Sequence, residues 1–340
     1  MRRMVWGLLV SSLVIILGGA ELFTNGVEWV GEGFGLSEGA VGSVLAAIGT
    51  ALPETLLPIV AILSGHHSGD DIGIGAILGA PFMLTTLAMF ALGVTVVLVS
   101  RKGNRSSTLE HDPGVFVQDL RYFLVMYSLA LIAGLIHVKA FNVCLAVGLI
   151  IAYGFYVRRH FASPGEGTLA AEAAGEVKRL YVRRLLHGEG TPLPLSIGQT
   201  VVGLAVIVGG AQIFVHAIDD LATRLNVSHL VFALLVAPIA TELPEALNSS
   251  VIWARRGKDV LALGNITGAM VFQATFPVTI GLLFTPWRLN QPAGVAAAIA
   301  LVAAGVLYVT ASLKGQLRGR LLLVQGIFYV GYVAYVVVHG

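Results

Sequence analysis

The chain has 340 residues, of which 56% are apolar and 12% charged, and its formal net charge is +2. Its apolar runs are too long for the core helices of a soluble protein, so it reads as a polytopic membrane protein whose surroundings are the lipid bilayer. So small a charge, with basic residues beside helix ends rather than along one stripe, argues against a nucleic-acid partner, and the single Cys144 excludes an internal disulfide.

Apolar runs of about 18 residues or more read as spans. The first five are Met4 to Phe23, Val41 to Ser64, Ile72 to Ser100, Leu120 to Ile136 and Ala140 to Val157. A charged joint follows, rich in Glu, Lys and Arg. Five more spans run from Leu195 to Ile218, Leu230 to Ala254, Val260 to Phe284, Ala293 to Leu313 and Leu321 to Val338. The chain therefore divides into an N-terminal repeat (1–157), a linker (158–194) holding a short surface helix, and a C-terminal repeat (195–340). Arg2 and Arg3 before the first run also fit a cleaved leader; the parallel with Leu195 to Ile218 argues for a retained helix.

The expected fold is all-α: ten transmembrane helices in two five-helix repeats, inverted because five is odd. Basic residues support the count. Arg2, Arg3, Lys139, Arg224 and Arg288 fall on one side, and three times as many on the other. By the positive-inside rule the linker is cytoplasmic and both termini lie outside the cell membrane.

Within the second span of each half stands nearly the same phrase, Ile48-Gly49-Thr50-Ala51-Leu52-Pro53-Glu54 and Ile239-Ala240-Thr241-Glu242-Leu243-Pro244-Glu245. A lone charge at such depth costs about 2.5–3.5 kcal/mol on insertion scales. Each proline should break its helix and release the carbonyl one turn earlier, at Gly49 or Ala240, and such a carbonyl can serve as a cation ligand. Thr50 and Glu54, like Thr241 and Glu245, are four apart and can share a helix face. Together the two sets would supply carboxylates, hydroxyls and carbonyls near the midplane, where inverted-repeat transporters bind their substrates. Such hard oxygen ligands suit calcium.

A Gly-Thr-x-Leu-Pro-Glu repeat in each five-span half, followed by a glycine-rich helix, resembles the alpha repeats of the sodium/calcium exchanger family, within the cation/calcium antiporter superfamily. The likeness covers about Ser37 to Gly93 and Val227 to Gly281. It implies that Glu54, Glu245, Thr50 and Thr241 form a central calcium site, with carbonyl ligands at Ala47 and Pro238. It also implies alternating access by sliding of the first and sixth spans. Small inorganic cations are then the partners, calcium against sodium or protons; no cofactor and no protein partner are inferred.

The chain departs from the pattern. Where the family has serine after the motif threonine, Ala51 and Glu242 stand here. Where it has Gly-Ser-Asn-x-x-Asn/Asp, this chain has Gly79 to Leu84 and Gly268 to Gln273. The lost polar groups bear on sodium sites, so a proton-coupled calcium or manganese antiporter is a rival reading: two glutamates can trade one divalent cation for two protons. Glu242 offers a third carboxylate three residues before Glu245, and Gln273 an amide oxygen; that Glu242 faces a vestibule, stays protonated or caps the helix stays open.

His66, His67, Asp70 and Asp71 read as solvated turn residues, and Glu28, Glu32 and Glu38 as a polar loop. An intramembrane enzyme using paired acids is a further alternative, but the near-identical surroundings of the two acids favour transport. A passive cation channel would show flux without counter-ion dependence.

Overall fold

The computed structural model describes residues 2–34, 46–103, 105–111, 113–162, 180–181, 193–314 and 317–339. Long apolar stretches rich in Leu, Val, Ala and Ile become helices because in lipid each backbone N–H and C=O must be paired within its own segment. In chain order these are α1 (Arg2–Gly33), α2 (Ala46–Leu63), α3 (Gly69–Met83), a π-helical turn (Leu84–Ala88), α4 (Met89–Arg101), α5 (Pro113–Ile136) and α6 (Lys139–Ala162). Then come α7 (Leu193–Leu225), α8 (His229–Arg255), α9 (Asp259–Gln273), α10 (Phe276–Phe284), α11 (Gln291–Lys314) and α12 (Gly319–His339). Two short strands, β1 (Thr108–Leu109) and β2 (Leu317–Arg318), pair antiparallel.

Among the described residues, eight helical stretches are long and apolar enough to cross a membrane. Two shorter apolar segments accompany them, Pro53–Leu63 and His229–Pro244.

Three expectations are corrected. The first helix reaches Gly33, so Glu28 and Glu32 lie on it rather than in a loop, while Glu38 falls outside the described residues. Asp70 and Asp71 occupy the first turn of α3, where acids complement the helix dipole. The second helices are not broken: α2 runs through Pro53 and Pro58, and α8 through Pro238 and Pro244. A proline removes one hydrogen bond from the ladder, which bends a membrane helix without ending it.

The interruptions lie instead in the third span of each half. In the first half, α3 passes into the π-helical turn at Leu84; in the second, α9 stops at Gln273 and α10 starts at Phe276. Aligning Gly79 with Gly268 aligns Leu84 with Gln273, so the two irregularities match. Threonines mark both: Thr86 bonds back to Phe82 O at 2.5 Å, and Thr275 to Val271 O at 2.8 Å. Such back-bonding bends helices.

Two compact units cut across the sequence halves. One comprises residues 1–65 and 157–221; the other comprises 66–156 and 222–340. In the first unit, α1 and α7 pack antiparallel with their backbones almost touching. A Cβ on Gly19 would stand 2.9 Å from Ile207 N, and one on Gly26 the same distance from Thr200 N. Buried Asn25 accepts from Gln199 Nε2 and from the Tyr181 N–H, both at 3.0 Å, and Tyr181 donates its hydroxyl to Glu21 at 2.6 Å. Tyr181 is thereby tied to α1.

In the second unit, α3 lies parallel to α8, with Gly75 against Leu230 and Gly79 against Leu234. Next to them α4 packs antiparallel to α12, where Gly93 meets Leu322 and Gly326 meets Phe90. Phe82 stacks on Tyr329 and meets Tyr332 edge-on. Fully buried Trp287 donates its indole N–H to Ala130 O at 3.0 Å.

One end of this unit is clasped by Arg105. Its guanidinium grips Asp259 in two bonds of 2.7 and 2.6 Å and donates to Ala254 O, joining the end of α8 to the start of α9. The β1–β2 pair brings the start of α12 to the same end. At the other end, Lys139 donates to the carbonyls of Leu282 and Leu283 that finish α10. The side chains of Arg105 and Asp259 are only 8% and 3% exposed. Arg105→Ala would leave a buried carboxylate uncompensated, at a cost of about 3–5 kcal/mol. A drop in melting temperature of the detergent-solubilised protein is the expected reading, and Arg105→Ala with Asp259→Asn should recover part of it.

Candidate cation site

The phrase of the first half lies on α2 in the first unit. Pro53 is buried, Glu54 half-buried and Thr55 buried. Ala47 and Thr50 belong to the same helix, with side chains outside the described ones. The phrase of the second half lies on α8 in the second unit, where Pro238, Thr241 and Glu242 are buried. Glu245 follows one turn later, its side chain likewise outside the described ones.

Thr241 donates its hydroxyl to Ala237 O at 3.2 Å, the bond into its own helix that a mid-helix threonine commonly makes. The hydroxyl oxygen keeps its acceptor lone pairs. Glu242 is 4% exposed and Gln273 2% exposed, and the structure joins them: Gln273 Nε2 donates to Glu242 Oε1. Two residues that sequence reasoning offered as separate oxygen donors thus form one hydrogen-bonded pair. The pair follows from helix register. Since α8 and α9 run antiparallel, Asn265 meets Ser250 at 3.2 Å on the same contact.

Asp119 was missed. It is 1% exposed and accepts from Tyr156 OH at 3.1 Å and from Thr267 Oγ1 at 2.6 Å, linking α5, α6 and α9. The signal was available, because Asp119 is the only acid between Gly114 and Ile136. It fell just before the predicted start of the span at Leu120. His66 is half-buried and His67 exposed in the turn after α2. Among the described residues no group of three or more His, Cys, Asp and Glu side chains is placed to hold a metal.

Chemically, the second unit presents a buried carboxylate with an amide donor beside it, a threonine oxygen on the same helix, and an irregular helix end immediately after the amide. Acids at bilayer depth are characteristic of ion pathways.

A family model described as sodium/calcium exchanger protein matches residues 4–161 and 195–339. The putative antiporter CaxA of Alkalimonas amylolytica is 26% identical over 327 residues, covering 95% of this chain and 94% of that protein. The inner membrane protein YrbG of Escherichia coli K12 is 24% identical over 291 residues, 83% of this chain and 81% of its own. In fold the chain resembles the crystal structure of the H+/Ca2+ exchanger CAX, with a TM-score of 0.69 at 13% identity, over 98% of this chain and 86% of that one. It also resembles the sodium-calcium exchanger NCX_Mj soaked with 10 mM Na+ and zero Ca2+, with a TM-score of 0.55 at 20% identity, over 98% and 99%.

Proposed function

The chain belongs to the sodium/calcium exchanger protein family, and from that premise we propose that it is a secondary antiporter that moves calcium against a monovalent cation through Glu54 and Glu245. The observation that carries this reading is the Pro-Glu phrase occurring twice, each time inside an apolar helix, α2 and α8. Thr50 and Thr241 add hydroxyl oxygens to the two carboxylates, and the carbonyls of Ala47 and Pro238, one turn upstream, complete an oxygen shell suited to calcium.

The halves are inverted five-helix repeats in this reading. Antiparallel packing of α1 on α7, the first helix of each half, supports it. So does the distribution of charge in the second unit. Arg101, Lys102, Arg105, Arg255, Arg256, Lys258, Arg318 and Arg320 gather at the clasped end, against Lys139, Arg224 and Arg288 at the other. The positive-inside rule then makes the clasped end cytoplasmic, with the linker on that side, both termini outside and the cell membrane as the location.

Solved structures similar in fold include an H+/Ca2+ exchanger and a sodium-calcium exchanger. Proton coupling is favoured by the composition of the third span, where buried Ala80, Pro81, Phe82, Met83 and Leu84 offer no side-chain oxygen.

The test is radiolabelled calcium uptake into proteoliposomes under an imposed proton gradient and, separately, an imposed sodium gradient. One gradient is expected to drive accumulation. Equal calcium flux with neither gradient would mean a passive channel and would overturn the proposal.

A further inference from the structure

At the α8–α9 contact the two halves of the chain differ in a coordinated way. Glu242 and Gln273, both buried, are bonded to each other in the second half. At the matching offsets along the repeat the first half has Ala51 and Leu84. Both positions are polar in the second half and apolar in the first. Buried polar groups are hydrogen-bonded, and here each of the two supplies a bond to the other. The paired difference is what a functional unit at this contact would produce. Its place fits too: Glu242 adjoins Thr241 and precedes Glu245 by three residues on α8, and α9 ends at Gln273.

We propose that Glu242 and Gln273 act as one unit that lodges a single negative charge at the α8–α9 contact, giving the cation pathway a third carboxylate supplied by the second half alone. Glu242 bears the charge and Gln273 is its positioning residue. A carboxylate only accepts hydrogen bonds, and the amide supplies the donor that fixes its direction without adding a charge. One fixed negative charge attracts a divalent cation twice as strongly as a monovalent one at equal distance, so the unit favours calcium over its competitors. The inference rests on the reading that transport runs through Glu54 and Glu245.

The distinguishing property is that the charge can sit on either member of the pair. With Glu242→Gln together with Gln273→Glu, the same bond forms in the reverse direction and the charge stays at the contact. Calcium transport by the full chain in proteoliposomes is compared for wild type, Glu242→Gln, Gln273→Glu and the swapped double variant. The readouts are KM for calcium and inhibition by competing sodium and potassium.

Glu242→Gln is near-isosteric and is expected to raise KM for calcium by about tenfold and to weaken discrimination against monovalent ions. Gln273→Glu sets two carboxylates against each other and is expected to impair transport or folding. The swapped variant should return KM and ion discrimination to within about threefold of wild type. A wild-type KM in Glu242→Gln, or a swapped variant no better than Glu242→Gln, overturns the proposal. If the Gln273→Glu protein fails to fold, the other two variants still decide. Wild-type transport by Glu54→Gln would instead remove the underlying reading. Lost transport in Glu54→Gln together with an unrescued swap would remove this proposal alone.

Discussion

Calcium-dependent transport should vanish in Glu54→Gln and in Glu245→Gln, while both proteins elute and melt like wild type. Glutamine keeps the volume and one carbonyl oxygen of glutamate but removes the charge that a dehydrated divalent cation requires. A charge pair about 4 Å apart is worth about 4 kcal/mol at an effective dielectric constant near 20, which corresponds to roughly three orders of magnitude in affinity. At half-buried Glu54 solvent screening trims that figure, yet a loss of even one order would take the site below its working range. Radiolabelled uptake in proteoliposomes, with size-exclusion profiles as folding controls, makes the measurement. Wild-type flux in either variant would show that the duplicated acid is not the binding group.

The second large effect concerns the packing of α3 on α8. At Gly79 a Cβ would stand 2.1 Å from Leu234 O and 2.7 Å from Pro238 Cγ. The first neighbour is backbone and cannot rotate away, so even Gly79→Ala must push the helices apart beside Pro238 and Thr241. Overpacking of this kind costs about 1–3 kcal/mol or more, a large share of the net stability of a domain. Gly79→Val should be worse and should yield little folded protein. Gly264→Ala is the control, because a Cβ there meets nothing within 4 Å. A helix-interior alanine is favoured over glycine by roughly 0.5–1 kcal/mol. Equal melting temperatures for Gly79→Ala and Gly264→Ala would contradict the packing described for α3 and α8.

Helix positions followed from hydropathy because the bilayer leaves the backbone few alternatives. Apolar runs such as Leu120 to Ile136 or Ala293 to Leu313 therefore lie inside α5 and α11. Legibility failed where local chemistry was outvoted by helix continuity. Glu28 and Glu32 looked like loop residues, yet a helix already formed through Phe23 propagates past them more readily than it starts or stops. Pro53 and Pro244 looked like helix breaks, yet each removes only one bond from a ladder that continues on both sides. The real irregularities, at Leu84 to Ala88 and after Gln273, carried the weaker signal of threonines placed to bond back along their own helices.

For the candidate site, residue types were legible and residue pairs were not. Glu242 and Gln273 could each be picked out as unusual polar groups in apolar runs. That they meet depends on the antiparallel register of α8 and α9, which also sets Ser250 against Asn265. Register comes from packing between helices, and no short-range pattern encodes it. Asp119 illustrates the same limit, because its partners Tyr156 and Thr267 lie far along the chain on α6 and α9.

Glu242 and Gln273 stand in the second half where the first has Ala51 and Leu84, so the repeat is electrically unequal at these positions. A carrier made of two identical inverted halves would look the same from both faces of the bilayer, and its cargo would be held equally well whichever way it opened. An electrically lopsided carrier loses that mirror equality. In the proposed antiporter, inward-open and outward-open forms would then differ in their dissociation constants, and loading on one face and unloading on the other need not be equally easy.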